Sequence, residues 1–403
     1  MSSERTDSFI SRLTPFALDY SPIPIHTNQL EKKQITSTTN ESSSSSLSSS
    51  TSSSLSVGHF FGRHLLSVSS LNRMELIHLF TIAESMAKVV NESGKTNLAH
   101  GCIMATVFYE PSTRTNFSFQ SAMMRLGGEV MNLAEVKSSS IAKGETIEDT
   151  FRCLQCYANI VVMRHPEVGS AARAASVLKI PLINAGDGIG EHPTQAILDL
   201  FTIQKECGRV DGLTITMVGD MKHGRTVHSL AKLLIHFQNL TLNFVSPKQL
   251  ELDEEIQQIL KTNNINFSIR NSLDEVMKDT DVLYSQHNNC KEKNQILAMF
   301  NSLYSHSTLN CATIFLVSLV TRIQKERFSS LSAYDEVKDS FILTRDLLDR
   351  LGSKASLRIL HPLPRVNEIS TDVDDDPRAA YFRQMKYGLY VRMAIIACLI
   401  GKA

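Results

Sequence analysis

Residues 112–115 read Ser-Thr-Arg-Thr, so hydroxyls and a guanidinium occupy consecutive positions just after the apolar run Cys102–Phe108. The pattern predicts a strand that hands over to a helix at this motif. A helix start presents unpaired backbone N–H groups and a partial positive charge. Hydroxyls and a guanidinium added there cradle a phosphate. Further donors follow other strand-like runs. Arg164 and His165 close Ile160–Arg164, and a Gly-rich loop from Gly186 to Gly190 leads from Pro181–Asn184 into His192-Pro193-Thr194-Gln195. Arg225 opens a helix pattern after Leu213–Gly219, and His361-Pro362-Leu363-Pro364-Arg365 follows Leu357–Leu360. Each alone has an ordinary reading as a surface or packing residue. Together they describe a polyanion pocket with no carboxylate pair and no Ser or Cys nucleophile beside a base. Such a pocket works by positioning and charge stabilisation.

The elements that must carry these residues alternate. Further strand candidates are Leu240–Ser246, Asp281–Tyr284 and Phe341–Thr344; helix candidates lie near 113–126, 145–157, 193–207, 224–237, 248–262, 345–351 and 377–400. Asn72 followed by Glu75 is a capping signature for a helix running to about Val90. Nearly continuous apolar strands between helices predict an α/β fold with doubly wound parallel sheets, and ligands then gather outside the strands' carboxyl ends. The length, 403 residues, calls for two such domains joined by helices, with the helix from Pro193 as connector.

Lys+Arg and Asp+Glu both total 41, so the chain carries no global charge directed at nucleic acid or an anionic membrane. No apolar run is long enough to span a bilayer. Seven cysteines at irregular spacing read as reduced thiols. Cys153 and Cys156 form a C-x-x-C without a second pair, which reads as two small residues packed on a helix face. No metal site and no cofactor is expected. Residues 1–57, nearly pure Ser and Thr from Ser42 to Ser56, are expected to form a disordered tail. Plastid transit segments are Ser-rich but poor in acid, whereas this one holds Glu4, Asp7, Asp19, Glu31 and Glu41, so the reading is cytoplasmic with the plastid as alternative.

From about residue 60 onward, apart from 285–320, the chain resembles the aspartate carbamoyltransferase catalytic chains of the aspartate/ornithine carbamoyltransferase family. The resemblance rests on Phe108 to Thr115, Met163-Arg164-His165-Pro166, His192-Pro193-Thr194-Gln195, Gly224-Arg225-Thr226 and His361 to Arg365, in the family's order. It implies attack of the L-aspartate amine on carbamoyl phosphate, an early step of pyrimidine synthesis. It also implies a carbamoyl-phosphate domain over 58–192, onto which the helix of 377–403 packs back, and an aspartate domain over 193–376. Ser112, Thr113, Arg114 and Thr115 would hold the phosphate, and Arg114 would stabilise the leaving oxygen. Thr115, Arg164 and a neutral His192 would donate to the carbamoyl oxygen, while Gln195 and the backbone of Leu363 and Pro364 would meet the carbamoyl amide. Arg225, Arg322 and Gln324 would take aspartate, with Lys143. Ser139 and Lys143 would enter the neighbouring subunit's site, making a homotrimer with shared sites. A regulatory chain is compatible with the resemblance, and no further enzyme domain is read. The ornithine relatives typically have Cys where Pro362 stands and lack the 321–327 segment, so aspartate is favoured.

The chain also departs from the family. Asn116 and Gln120 stand where an i,i+4 Arg–Glu pair is usual, and Asn367 replaces a common Asp. The atypical insertion 285–320 separates Tyr284 from Thr321, just ahead of Arg322 and Gln324. It reads as a retained intron, as a surface excursion whose ends return together, or as an insertion that disables aspartate binding and leaves a non-catalytic subunit.

Overall fold

The computed structural model describes residues 60–133, 144–222, 224–246, 248–285, 343–365 and 368–403. Its strands form two wholly parallel sheets. In the first, β1 (Ile103–Phe108), β2 (Glu129–Leu133), β3 (Ile160–His165) and β4 (Leu182–Asp187) lie in the order β2-β1-β3-β4. In the second, β5 (Thr214–Val218), β6 (Thr241–Val245), β7 (Asn266–Arg270), β8 (Val282–Ser285) and β9 (Arg358–Leu360) run β7-β6-β5-β8-β9.

The central strands are buried on both faces because helices cover them, which is why they read as unbroken apolar runs. The edge strands β2 and β7 are half exposed, short and mixed, and the sequence reading did not find them. It also missed the short helix Ser170–Ala175.

The first helix, α1 (Arg73–Glu92), opens with the capping box that the sequence indicates. Asn72 Oδ1 accepts from Glu75 N at 3.0 Å, and Glu75 Oε2 accepts from Asn72 N at 2.9 Å. α2 (Thr113–Arg125) follows β1, α3 (Ile147–Leu154) precedes β3, and α4 is Ser170–Ala175. α5 (Pro193–Cys207) joins the two sheets and is buried without a break from Pro193 to Ile203. α6 (Arg225–Leu234) follows β5, α7 (Glu254–Thr262) follows β6, and α8 (Arg345–Arg350) precedes β9. The last helix, α9 (Tyr381–Leu399), packs against α1, α2 and α5. One continuous core joins α1, α5 and α9 to the inner faces of both sheets. Separate clusters cover the outer face of each sheet.

Several details correct the sequence reading. The helix expected over 248–262 is a 3-10 turn, Lys248–Leu250, then α7, because Asp253 caps a new start by accepting from Glu255 N. Cys153 and Cys156 are exposed, not packed, since α3 ends at Leu154 and turns its apolar face the other way. Ser285 still belongs to β8, paired with Val218, so the strand outlasts the point where the insertion was placed. Of the strand expected over 341–344, residues 341 and 342 lie outside the described residues. Leu343 makes a single bridge to Ile369, and Thr344 caps α8. The Ser-rich head and residues 286–320 also lie outside the described residues.

Candidate active site

The carboxyl ends of β1, β3, β4, β5 and β9 open on one cleft of about 970 Å3. Ser112, Thr113, Arg114, Thr115, Arg164, His192, Gln195, Arg225, Leu363 and Pro364 all line it. The sequence placed these side chains after five separate strands, and the fold brings them together. Ser139, Lys143, Arg322 and Gln324 lie outside the described residues.

Ser112 is the N-cap of α2, yet its hydroxyl makes no capping bond and stays available to a ligand. The helix behind it holds the neutral pair in place of the usual ionic one. Gln120 Nε2 donates to Asn116 Oδ1 at 2.9 Å, and Asn116 Nδ2 donates on to Asn132 at 3.2 Å. Neither substitution strands a charge.

Arg164, nearly buried at the end of β3, donates to Glu110 Oε1 at 2.6 Å and to the Ala185 carbonyl at 3.3 Å; its Nε has no partner. Arg225, the first residue of α6, donates from Nη1 to the Gly188 carbonyl. Burial lowers its pKa to about 10, with the neighbouring Arg164 adding to the effect. Gly186 makes this pairing of guanidiniums possible. Its φ is +117°, and a Cβ built there would lie 3.1 Å from Arg164 Nη1 and 3.4 Å from Arg225 Cζ.

His192 is the N-cap of α5 and buried, with its Nδ1 unpartnered. Burial pushes its pKa well below the usual imidazole range, and Arg225, Arg164 and Arg392 push it the same way. It is therefore neutral at pH 7 and can donate one N–H to an oxygen. The last loop is tightly set. Leu363 has a φ of +51° and a cis bond to Pro364, and its N–H donates to His361 Nδ1 at 2.8 Å. His361 Nε2 faces the buried Glu368 at 3.2 Å.

Three charged residues that matter here escaped the sequence reading. Glu110 pairs with Arg164. Arg392, on α9, lines the cleft, donates to Ser118 Oγ at 2.9 Å and lies over Phe119. Asp199, on α5, is wholly buried behind Gln195. For Arg392 and Asp199 the signal was present, because a lone charge inside an apolar helical run must find a partner.

The arrangement is a concentration of fixed cations and neutral donors around a space for a small polyanion, with its electrostatics arranged in advance. Comparison with known proteins agrees. Residues 63–205 match the aspartate/ornithine carbamoyltransferase carbamoyl-P binding domain, and residues 211–399 match the Asp/Orn binding domain of the same family. The aspartate carbamoyltransferase catalytic subunit of Methanocaldococcus jannaschii is 45% identical over 84% of this chain and 98% of its own. The multifunctional protein pyr1-3 of Dictyostelium discoideum is 47% identical over 86% of this chain, which spans only 14% of that longer protein. Among solved structures, aspartate transcarbamoylase from Trypanosoma cruzi in complex with carbamoyl aspartate and phosphate superposes with a TM-score of 0.70. It is 37% identical, over 85% of this chain and 98% of that one. The chain belongs to the aspartate/ornithine carbamoyltransferase family, among its aspartate carbamoyltransferases.

Proposed function

We propose that this chain transfers the carbamoyl group of carbamoyl phosphate to L-aspartate, giving N-carbamoyl-L-aspartate and phosphate for pyrimidine synthesis. The observation that carries the reading is the convergence of Arg114, Arg164, His192 and Arg225 on one cleft at the strand ends. In this reading Ser112, Thr113, Arg114 and Thr115 hold the phosphate at the start of α2, and Arg114 stabilises the oxygen that leaves. Thr115, Arg164 and neutral His192 donate to the carbamoyl oxygen, which gains negative charge as the amine adds. The N–C bond forms, the C–O bond to phosphate breaks, and the surplus amine proton departs with the phosphate. Gln195 and the backbone carbonyls of Leu363 and Pro364 accept from the carbamoyl amide. Arg225, with Arg322 and Gln324, takes the two carboxylates of aspartate, for which guanidinium forks are suited. Ser139 and Lys143 reach in from a neighbouring subunit, so the working form is a homotrimer, housed in the cytosol.

The position of the insertion supports a second reading. β8 ends at Ser285, and two of the residues meant to grip aspartate, Arg322 and Gln324, come only after the added block. A chain disabled there still binds carbamoyl phosphate but transfers nothing. Carbamoyl-aspartate formation by the full chain, and by one lacking residues 286–320, tests both. Turnover by the full chain supports the transferase, and turnover by the shortened form alone shows that the added block disables the chain. Absence of product from both, with the proteins folded and binding carbamoyl phosphate, supports the disabled subunit.

A further inference from the structure

Behind the cleft, a single carboxylate gathers three donors. Asp199 Oδ1 accepts from Gln195 Nε2 at 2.8 Å and from Gln384 Nε2 at 2.6 Å, while Oδ2 accepts from Tyr284 Oη at 2.8 Å. Tyr284 is also hydrogen-bonded to Thr226. Asp199 and Gln384 are 0% exposed and Gln195 6%, so bulk water does not compete for these groups.

In its ionised form, above a pH of about 7, the carboxylate only accepts, so each glutamine then turns its NH2 towards Asp199 and its carbonyl away. For Gln384 the second end confirms this orientation, because its Oε1 accepts the His361 N–H at 2.9 Å. That bond fixes the start of the 361–364 loop, whose Leu363 is held at φ +51°. Gln195 is itself one of the residues that line the cleft.

We propose that Asp199 is a positioning residue that sets both groups of acceptors facing the carbamoyl amide: the Gln195 side-chain carbonyl directly, and the 361–364 main chain through Gln384. It thereby makes the site select an NH2 over a methyl group at that corner. The inference rests on the carbamoyl-phosphate reading. Its physical basis is that a site built to accept N–H bonds rejects an analogue lacking them, since its buried acceptors are then left unpartnered. Burial holds the Asp199 carboxyl at a raised pKa of about 7 despite its three donors, a sign that the group is retained at an energetic cost.

The test is the ratio of Kd values for acetyl phosphate and carbamoyl phosphate, with inorganic phosphate as a control, on the full chain. Asp199→Leu removes the acceptor and frees both amides to turn. We expect the ratio to fall at least ~10-fold with phosphate affinity unchanged. Asp199→Asn keeps one oxygen where both amides converge and turns its NH2 to Tyr284, so it retains the ratio within about threefold. A ratio that Asp199→Leu leaves intact overturns the inference. So does a parallel loss for all three anions, which marks a purely structural role. Should Asp199→Leu not fold, Gln384→Met breaks the arm to the 361–364 loop; a fall of at least ~3-fold supports the inference and no change overturns it. An unaltered chain that binds both acyl phosphates alike removes the carbamoyl-phosphate reading and this inference with it. A preference that survives the substitution removes the inference alone.

Discussion

At the scale of single residues, the site depends on cations held close together in low dielectric. Gly186 is the residue that permits it, and Gly186→Ala should disturb both guanidiniums at once. We expect kcat/KM for carbamoyl-aspartate formation to fall at least ~10-fold, with a loss of stability of about 1–3 kcal/mol because Ala is strained at this φ. His192 gives a second test, in stability. Its folded pKa lies below the ordinary 6.5, so below that pH the unfolded chain binds a proton that the folded one refuses. Stability therefore falls as pH drops through this window, by up to about 1.4 kcal/mol per pH unit for this group. His192→Gln should remove that part of the slope, measured by urea unfolding between pH 5 and 7; an unaltered slope would show that His192 is charged in the folded chain. Most described donors on the cleft were legible as strand-end Arg, His, Gln or hydroxyl groups. Asp199 and Arg392 were not, because their roles depend on which helix face meets the cleft, and that is settled by tertiary packing.

At the scale of elements, the buried strands announced themselves through unbroken apolar runs. The edge strands β2 and β7 were hidden because half their residues face water. The start of α1 was legible from its capping box, whereas the Asp253 cap that opens α7 was not read. Asn72→Ala should remove the capping box of α1 and destabilise the protein by about 1 kcal/mol, read as a shift in the urea midpoint. The neutral pair on α2 invites the opposite experiment. Restoring Asn116→Arg with Gln120→Glu should change stability by only about 0.2–0.5 kcal/mol and leave kcat within about twofold. A larger loss of activity would mean that Asn132, which the Asn116 amide reaches at 3.2 Å, helps to set the phosphate motif.

At the scale of the whole molecule, two sheets open on one cleft across the buried helix α5. Closure of the two on substrate, which the family resemblance implies, would exclude water and strengthen every guanidinium contact. Subunit sharing has its own test. Arg114→Ala and Lys143→Ala proteins, each inactive, should regain part of their activity when dissociated and reassembled together, because some sites then receive both intact residues. The central claim is that donors from separate strand ends converge on one bound mixed anhydride. Calorimetric titration of carbamoyl phosphate into the full chain and into Arg114→Ala, Arg164→Ala and His192→Ala tests it most directly. We expect each substitution to weaken binding at least ~10-fold; an unchanged Kd in any two of the three would contradict convergence.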